Sequence, residues 1–294
     1  MRLYDDIVIN GGRAMARSYA KINLTLDVLG KRDDGYHEVR MIMQSLGLFD
    51  LVIVDKAYGE ITVSTNLKYL PTGEKNIAWK AAKVFFDETG IKGGAHILIH
   101  KNIPVAAGLA GGSGNAAAVL CALDKLYNTH LSDAELCRIG TMLGADVPYC
   151  ILGGTQLAEG IGEKLTELAP MPKLTVLLVK PPISVSTAEI YSEIDSCTDM
   201  IHPDTEGMIE AITSADVNGI ADRLSNVMEQ VTAKTHPVIR GIKEKLMLNG
   251  AIGAVMSGSG PTVFGIFDDE AAAKRSADSF FMFYKEVYLT KTYN

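Results

Sequence analysis

The sequence predicts a protein in which strands and helices alternate, of the α/β or α+β class. Ala95 to Pro104 (AHILIHKNIP) alternates apolar and polar residues as a strand does and stops at a proline. Ser113 to Tyr127 instead repeats its apolar residues with the period of a helix. Leu174 to Pro182 (LTVLLVKPP) is an almost continuous apolar run ended by prolines, which predicts a buried strand. Interleaved elements of both kinds indicate layers of helices packed on a sheet.

The last third of the chain continues this alternation. Ala251 to Phe267 (AIGAVMSGSGPTVFGIF) predicts two strands joined by a glycine turn, and Asp269 to Phe283 predicts a closing helix. The composition changes at the segment APMPK, so we place a domain boundary between about residues 153 and 172. We therefore predict an N-terminal domain of residues 1–165 and a C-terminal domain of residues 166–294.

Composition narrows the class of function. The chain has 294 residues, a net charge of −7 and an apolar content of 47%, which predict a globular protein with a small-molecule partner rather than a nucleic-acid partner. No apolar run has the roughly 20 residues of a membrane-spanning helix, and the N-terminus lacks the apolar core of a signal peptide. These features predict a cytoplasmic protein. Its four cysteines have neither metal-site nor disulfide spacing, so we interpret them as reduced and mostly buried. The oligomeric state is not predictable from the sequence.

A glycine-rich stretch precedes the predicted helix at Ser113. Pro104 to Leu120 (PVAAGLAGGSGNAAAVL) contains glycines at 108, 111, 112 and 114. A helix N-terminus has unpaired N–H groups and a positive dipole end, and glycines allow close approach of an anion, so the stretch predicts a phosphate site. A tight turn that only packs the helix is the alternative. Neither GxGxxG nor a P-loop motif occurs, which disfavours a dinucleotide fold or a P-loop NTPase.

This stretch resembles the phosphate-binding motif of the GHMP kinases. Two further segments agree in order, AKINLTLDVLGKRDDGYHEV and MSGSGPTVFGIF, and the likeness extends from about Ala16 to Phe267. The resemblance implies an α+β two-domain fold, with a ribosomal protein S5 domain 2-like ATP-binding domain followed by a ferredoxin-like domain. One departure is Gly114, where relatives usually have a second serine; it removes a hydroxyl but keeps the backbone N–H groups.

The resemblance also implies the cofactors, ATP and Mg²⁺, and the residues that contact ATP; it leaves the metal ligands unassigned. The implied ATP-binding residues are Pro104, Val105, Ala106, Ala107, Gly108, Leu109, Ala110, Gly111, Gly112, Ser113, Gly114, Asn76 and Lys101. Lys101 has an alternative interpretation as a solvated strand end.

Two charged residues are the implied catalytic pair. Asp146, in GADVP, resembles the aspartate that accepts the proton of the substrate hydroxyl, although the same segment is also good helix-capping chemistry. Lys21 lies in an apolar strand where an unpaired lysine is costly to bury, and the resemblance pairs it with Asp146. An edge lysine that points into water is the alternative. Asn23 lies on the same side of the strand, because side chains alternate, and is an implied substrate contact.

Five segments together resemble the branch of the family that phosphorylates the 2-hydroxyl of 4-diphosphocytidyl-2-C-methyl-D-erythritol: AKINL, DGYHEV, PTGEKNIAWKAA, GADVPYCILGGTQLAEGIGEKL and SGSGPTVF. DGYHEV carries the specificity for the base. By resemblance, Tyr36 stacks on the cytosine and His37 bonds to its edge, although a Tyr-His pair in a loop is also ordinary packing. Thr187 is the implied substrate contact of the second domain. SGSGPTVF is either a simple hairpin turn or the turn that closes the site beside the glycine loop; we expect a structural role for it.

Two alternative functions remain open. The chain is either a kinase of this family that acts on another alcohol, of the homoserine or mevalonate type, or a non-catalytic relative that binds a ligand. Because MARSYAKINL resembles a complete start, we also expect Met1 to Ala14 to be an extension that the fold does not need.

Overall fold

The computed structural model describes residues 6–197 and 199–294. It divides the chain into two compact units. Unit 1 comprises the chain up to Ala20, Leu48–Val105 and Ala110–Gly153, and unit 2 comprises Lys21–Gly47, Ala106–Leu109 and Gly154–Asn294. The units interleave along the sequence because two long strands contribute to both. The division into two contiguous domains, residues 1–165 and residues 166–294, therefore remains a prediction.

Helices and strands alternate along the chain as predicted. The strands are β1 (Val8–Asn10), β2 (Arg13–Lys31), β3 (His37–Ala57), β4 (Ile61–Thr65), β5 (Gly94–His100), β6 (Thr155–Glu159), β7 (Lys164–Glu167), β8 (Thr175–Lys180), β9 (Ser225–Asn226), β10 (Gly253–Met256), β11 (Val263–Phe267) and β12 (Glu286–Lys291). The helices are α1 (Ile77–Thr89), α2 (Gly111–Tyr127), α3 (Asp133–Thr141), α4 (Asp146–Leu152), α5 (Thr187–Ile194), α6 (Thr205–Thr213), α7 (Val217–Asp222), α8 (Val227–Thr235), α9 (Val238–Leu248) and α10 (Glu270–Phe281).

Unit 1 consists of a sheet and four helices. Its strands follow the order β1-β2-β3-β5-β4, with β5 antiparallel to β3 and parallel to β4. Helix α2 packs against α1 and α4, and α3 packs against α4. Residues 114–124 of α2 are all buried, because the alanine-rich sequence lets neighbouring helices approach it closely. This burial fixes the position of the helix that follows the glycine-rich stretch.

Unit 2 contains the remaining halves of β2 and β3 and a second sheet. There β9 runs parallel to β2, β6 pairs with β3, and β7 pairs with β6. The second sheet is antiparallel, in the order β10-β11-β8-β12, with α9 and α10 packed on it. That order of strands, with helices in the connections β8 to β10 and β11 to β12, is the predicted ferredoxin-like arrangement. The α+β class is thus confirmed.

Residues 6–14 pack against the rest of the fold, and the expectation that the fold does not need Met1 to Ala14 stays a prediction. Val8–Asn10 pairs with Arg13–Met15 in an antiparallel hairpin, and the Tyr19 hydroxyl donates to Asp6 over 2.9 Å. Ile7 and Ala14 are buried. Residues 1–5 belong to the same expectation but lie outside the described residues.

None of the helices in the described part of the chain is both long and apolar enough to cross a membrane. Within the described residues the four cysteines form no disulfide; Cys121 and Cys150 are buried, and Cys137 and Cys197 are half-buried. Burial raises the pKa of the Cys137 thiol to about 11.

Candidate active site

The glycine-rich stretch leads into α2, which begins at Gly111, two residues before the predicted start. Ala110 caps the helix in a left-handed conformation (φ 54°), and its side chain bonds to no helical N–H group. Gly112 is exposed, and Gly111 and Ser113 are half-buried. Because the cap residue Ala110 supplies no side-chain acceptor to these first N–H groups, the start of α2 has the chemistry of an anion site.

The middle of the stretch, Ala106–Leu109, belongs to unit 2 and packs on the turn between β10 and β11. Gly108 has φ 73°, and a Cβ added there would lie 2.2 Å from the Ser257 carbonyl oxygen. Ser257 Oγ donates to the Gly108 carbonyl over 2.9 Å. The prediction that this turn lies beside the glycine loop is confirmed, and the interpretation as a hairpin alone is incomplete.

Lys21 and Asn23 lie on the same side of β2, as the alternation of strand side chains predicted. Lys21 Nζ donates to Asn23 Oδ1 over 2.8 Å, and both residues are buried. The alternative of an edge lysine in water is therefore wrong. The Lys21 backbone N–H also donates to the Leu109 carbonyl over 3.2 Å, which ties β2 to the glycine loop. The predicted pairing of Lys21 with Asp146 concerns residues of different units and remains a prediction.

The turn between β10 and β11 is held by Asn226, which sequence reasoning missed, and lies beside Thr187, which it predicted as a substrate contact. Asn226 Nδ2 donates to the carbonyls of Met256 and Gly258, each over 2.8 Å. Thr187, the first residue of α5, has its hydroxyl 2.8 Å from Ser259 Oγ in the same turn. Thr187 therefore lies next to the turn between β10 and β11, within unit 2.

Tyr36 and His37, the candidate base-reading pair, have different surroundings. The Tyr36 residue is 61% exposed, whereas the His37 side chain is only 8% exposed. His37 Nε2 lies 2.7 Å from Asp195 Oδ1, and its ring stacks on Tyr191 with centroids 4.4 Å apart. Tyr36 is thus an accessible aromatic ring, and the neighbouring His37 is an imidazole fixed by Asp195 and Tyr191.

Lys101 belongs to a buried cluster in unit 1, so its interpretation as a solvated strand end is wrong. Its Nζ forms an ion pair with Asp50 and donates to Asn115 Oδ1 over 3.1 Å. Asn115 Nδ2 donates to Asp50 Oδ2 over 2.9 Å and to Ser18 Oγ over 3.1 Å. The other Asp50 oxygen accepts the N–H groups of residues 102 and 103. We call Ser18, Asp50, Lys101 and Asn115 the Asp50 cluster.

Asn76 and Asp146 both lie at helix starts in unit 1. Asn76 caps α1: its Oδ1 accepts from the Ala78 N–H over 2.9 Å and its Nδ2 donates to the Pro71 carbonyl over 2.7 Å. Asp146 is the first residue of α4 and half-buried; Ala145, not Asp146, is in the cap position. The capping alternative for Asp146 is therefore wrong. Its predicted role as proton acceptor stays a prediction, as does the contact of Asn76 with adenine.

Comparisons with known proteins agree over most of the chain. The model of the GHMP kinases N-terminal domain matches residues 76–154, and that of the GHMP kinases C-terminal domain matches residues 208–284. A 4-diphosphocytidyl-2-C-methyl-D-erythritol kinase of Clostridium novyi (strain NT) is 50% identical over 276 residues, 94% of this chain and 99% of the relative. A kinase of the same name from Alkaliphilus metalliredigens (strain QYMF) is 47% identical over 95% of this chain and 96% of its own.

Solved structures give the same result. A crystal structure of 4-(cytidine 5'-diphospho)-2C-methyl-D-erythritol kinase superposes with a TM-score of 0.81 at 29% identity, covering 95% of this chain and 99% of that one. A homoserine kinase from Cytophaga hutchinsonii has a TM-score of 0.76 at 18% identity, covering 97% and 96%, which shows a shared fold. Two domain models and near-complete relatives at about half identity leave one assignment: the chain belongs to the GHMP kinase family.

Proposed function

We propose that this chain transfers the γ-phosphoryl group of ATP to the 2-hydroxyl of 4-diphosphocytidyl-2-C-methyl-D-erythritol, a step in isoprenoid precursor synthesis. The observation that carries the proposal is the 50% identity over 99% of a relative that bears this kinase's name. The enzyme is a phosphotransferase with an alcohol as acceptor. Transfer is direct and in line, so no covalent enzyme intermediate forms.

ATP is the phosphate donor of the family, and the start of α2 is the proposed site of its phosphates. The uncapped N–H groups at Gly111 to Ser113 donate to phosphate oxygens, and the dipole of a 17-residue helix favours their charge. Asn76 and Lys101 are the proposed residues of the adenine pocket, and the ion pair with Asp50 fixes the position of the Lys101 ammonium group. All these contacts are proposals from the resemblance and from the surroundings of each residue.

Mg²⁺ would enter bound to ATP. The described residues contain no group of three or more His, Cys, Asp or Glu side chains that could hold a metal ion. Mg²⁺ in kinases is commonly held by substrate phosphates with one or two protein ligands, so this chemistry fits an ion carried by ATP, with the Ser113 hydroxyl as the candidate ligand of the chain. When bound, the ion offsets negative charge on the transferred phosphoryl group.

Three residues are proposed to act on the acceptor hydroxyl. Asp146 orients that hydroxyl and receives its proton late in the transfer. Lys21 supplies positive charge near the reacting oxygen, and its bond to Asn23 fixes the direction of its ammonium group. Asn23 presents its amide to the same substrate. Burial of Lys21 and Asn23 strengthens these interactions, because water screens them less.

The cytidyl group is proposed to bind unit 2 at Tyr36, His37 and Thr187. The exposed Tyr36 ring offers a face for the cytosine, and His37 offers a ring nitrogen for its edge. A family member with another alcohol substrate has no need of this pair, and a non-catalytic relative has no need of Asp146. The proposed function accounts for both.

Steady-state ADP release with the cytidyl substrate tests the proposal. Asp146→Asn is expected to lower kcat by about 10²- to 10⁴-fold, whereas Asp87→Asn, which neutralises an exposed carboxylate on α1, leaves it unchanged. Tyr36→Ala is expected to raise KM for the cytidyl substrate about tenfold or more through lost stacking, with little change in kcat. Tyr58→Ala is its control, because Tyr58 is 92% exposed.

Two outcomes would contradict the proposal in different ways. A wild-type enzyme that ignores the cytidyl substrate but phosphorylates homoserine or mevalonate would establish another substrate. A protein that binds CDP, raising its melting temperature, but releases no ADP with any of these alcohols would be a binding protein.

A further inference from the structure

His37 is held against α5 by two interactions that fix its ring. Its Nε2 lies 2.7 Å from Asp195 Oδ1, at the C-terminal end of α5. The ring also lies nearly parallel to that of Tyr191, with 4.4 Å between centroids and 14° between planes. The stack sets the plane of the imidazole and the carboxylate sets its rotation in that plane. His37 therefore offers its two nitrogens in fixed, distinct surroundings.

Asp195 can act only as an acceptor. The hydrogen bond to His37, supported by Lys31 Nζ at 3.4 Å, holds the pKa of Asp195 below its ordinary value. An ionised carboxylate has no proton to donate, so the hydrogen between it and His37 belongs to Nε2. No residue in the described ranges 6–197 and 199–294 forms a hydrogen bond with His37 Nδ1. In the neutral ring Nδ1 then carries a lone pair and accepts hydrogen bonds.

We propose that Asp195 is a positioning residue that sets the base preference of the cytidyl site by fixing His37 as the Nε2–H tautomer. The inference rests on the proposed function, in which His37 reads the edge of the base. Cytosine presents an amino donor at the position where uracil presents a carbonyl acceptor. A fixed Nδ1 lone pair accepts from the amino group and opposes the carbonyl oxygen, so the site favours cytosine over uracil by attraction and by repulsion.

The tautomer can be measured directly. Long-range ¹H–¹⁵N spectra of the full chain, with the His37 signals assigned by their loss in His37→Gln, distinguish a protonated from a bare ring nitrogen. In the neutral ring we expect a protonated Nε2 and a bare Nδ1, and a mixture of tautomers in Asp195→Ala. A proton on Nδ1 in the wild-type protein, in either the neutral or the doubly protonated ring, would overturn the proposal.

Base preference is tested with CDP and UDP as probes in calorimetric titrations. Asp195→Ala is expected to reduce the ratio of the UDP to the CDP dissociation constant about tenfold, the effect of roughly one hydrogen bond. Asp195→Glu, which keeps a carboxylate acceptor, should retain much of the ratio. Glu193→Ala, which removes a carboxylate from an exposed position of the same helix, should retain all of it. With the cytidyl substrate, Asp195→Ala should raise KM and leave kcat and the KM for ATP unchanged.

The outcomes separate this inference from the proposed function. If the wild-type protein binds CDP and UDP equally, base reading at this site fails and the proposed substrate fails with it. If the wild-type protein prefers CDP but Asp195→Ala keeps that preference, or loses no more of it than Glu193→Ala, the role of Asp195 is wrong and the proposed substrate stands. Melting temperatures of all variants establish that each is folded before titration.

Discussion

Asp50 in unit 1 and Asp195 in unit 2 each hold a side chain that we propose for ligand binding, but in opposite surroundings. Asp50 has no exposed surface and accepts from two backbone N–H groups and from two side chains, Lys101 and Asn115. The Asp195 side chain is 30% exposed and accepts from His37 and Lys31. The first carboxylate joins three segments of backbone, whereas the second orients one ring. The buried carboxylate supports the fold, whereas the more exposed one tunes a single contact.

The largest effect is expected from Asp50→Asn. The amide oxygen can replace the carboxylate oxygen that accepts from residues 102 and 103, but the amide nitrogen would then face the Lys101 ammonium and the Asn115 amide, both of which are donors. Leaving a buried charge without its partner costs about 3–5 kcal/mol, so the free energy of unfolding should fall by that order in urea titrations. The KM for ATP should rise as well, because Lys101 and the start of α2 lose their support.

Two control variants test the effect predicted for Asp50→Asn. Asp87→Asn breaks an exposed pair with Lys83 and should change the unfolding free energy by less than about 1 kcal/mol. Lys101→Met added to Asp50→Asn removes the unpaired charge and should recover part of the loss in stability. If Asp50→Asn costs no more than Asp87→Asn, burial does not distinguish the two carboxylates, and the comparison fails.

The sequence predicted the helices, the strands and the local geometry better than it predicted the carboxylates that hold Lys101 and His37 in place. The helix after the glycine stretch and the shared side of Lys21 and Asn23 followed from periodicity, which acts over a few residues. Asp50 was missed because its partners are 51 to 65 residues away along the chain. One signal was available: Asp50 interrupts the apolar run GLFDLVIV, and a buried strand holds a lone carboxylate only when it is paired.

Asp195 left no such signal in the sequence. It lies 158 residues from His37 along the chain, in an ordinary polar segment after a short amphipathic helix. The exposed end of a helix accepts almost any polar residue, so composition does not mark it. Lys101 shows a related limit: its position after a strand left a solvated end open as an alternative, whereas the ion pair with Asp50 holds it in the interior. Contacts distant in sequence decided the surroundings of both residues.

An intermediate effect is expected where the Asp50 cluster meets Gly114. A Cβ added at Gly114 would lie 2.5 Å from Ser18 Oγ, and this hydroxyl also accepts from Asn115. Gly114→Ala should therefore destabilise the protein by about 1–3 kcal/mol through overpacking, less the ~1 kcal/mol that alanine gains over glycine in a helix. In a Ser18→Ala background the clash is removed, and the same substitution should be neutral or stabilising. Thermal unfolding of the wild-type protein, the two single variants and the double variant gives the coupling energy between residues 18 and 114. Additive effects would show that the Ser18 side chain moves aside and that the Asp50 cluster is not rigid.

The smallest effect is expected at Glu270, which extends the comparison to an exposed carboxylate on the first turn of α10. Lys291 at 2.7 Å and Lys274 at 3.1 Å lower its pKa from 4.5 to about 2. A pKa lowered by folding means that the unfolded chain binds the proton more tightly, so the contribution to stability is complete above pH 4.5 and is lost as the pH falls toward 2. Glu270→Gln should lower the melting temperature by about 1–2 °C at pH 7 and by much less at pH 2. In 1 M salt this difference should shrink, because exposed charges are screened, whereas the loss in Asp50→Asn should persist. If salt changed the loss in stability equally for Asp50→Asn and Glu270→Gln, water would have to reach the ion pair of Asp50. The difference between Asp50 and the exposed carboxylates would then rest on the number of hydrogen bonds alone.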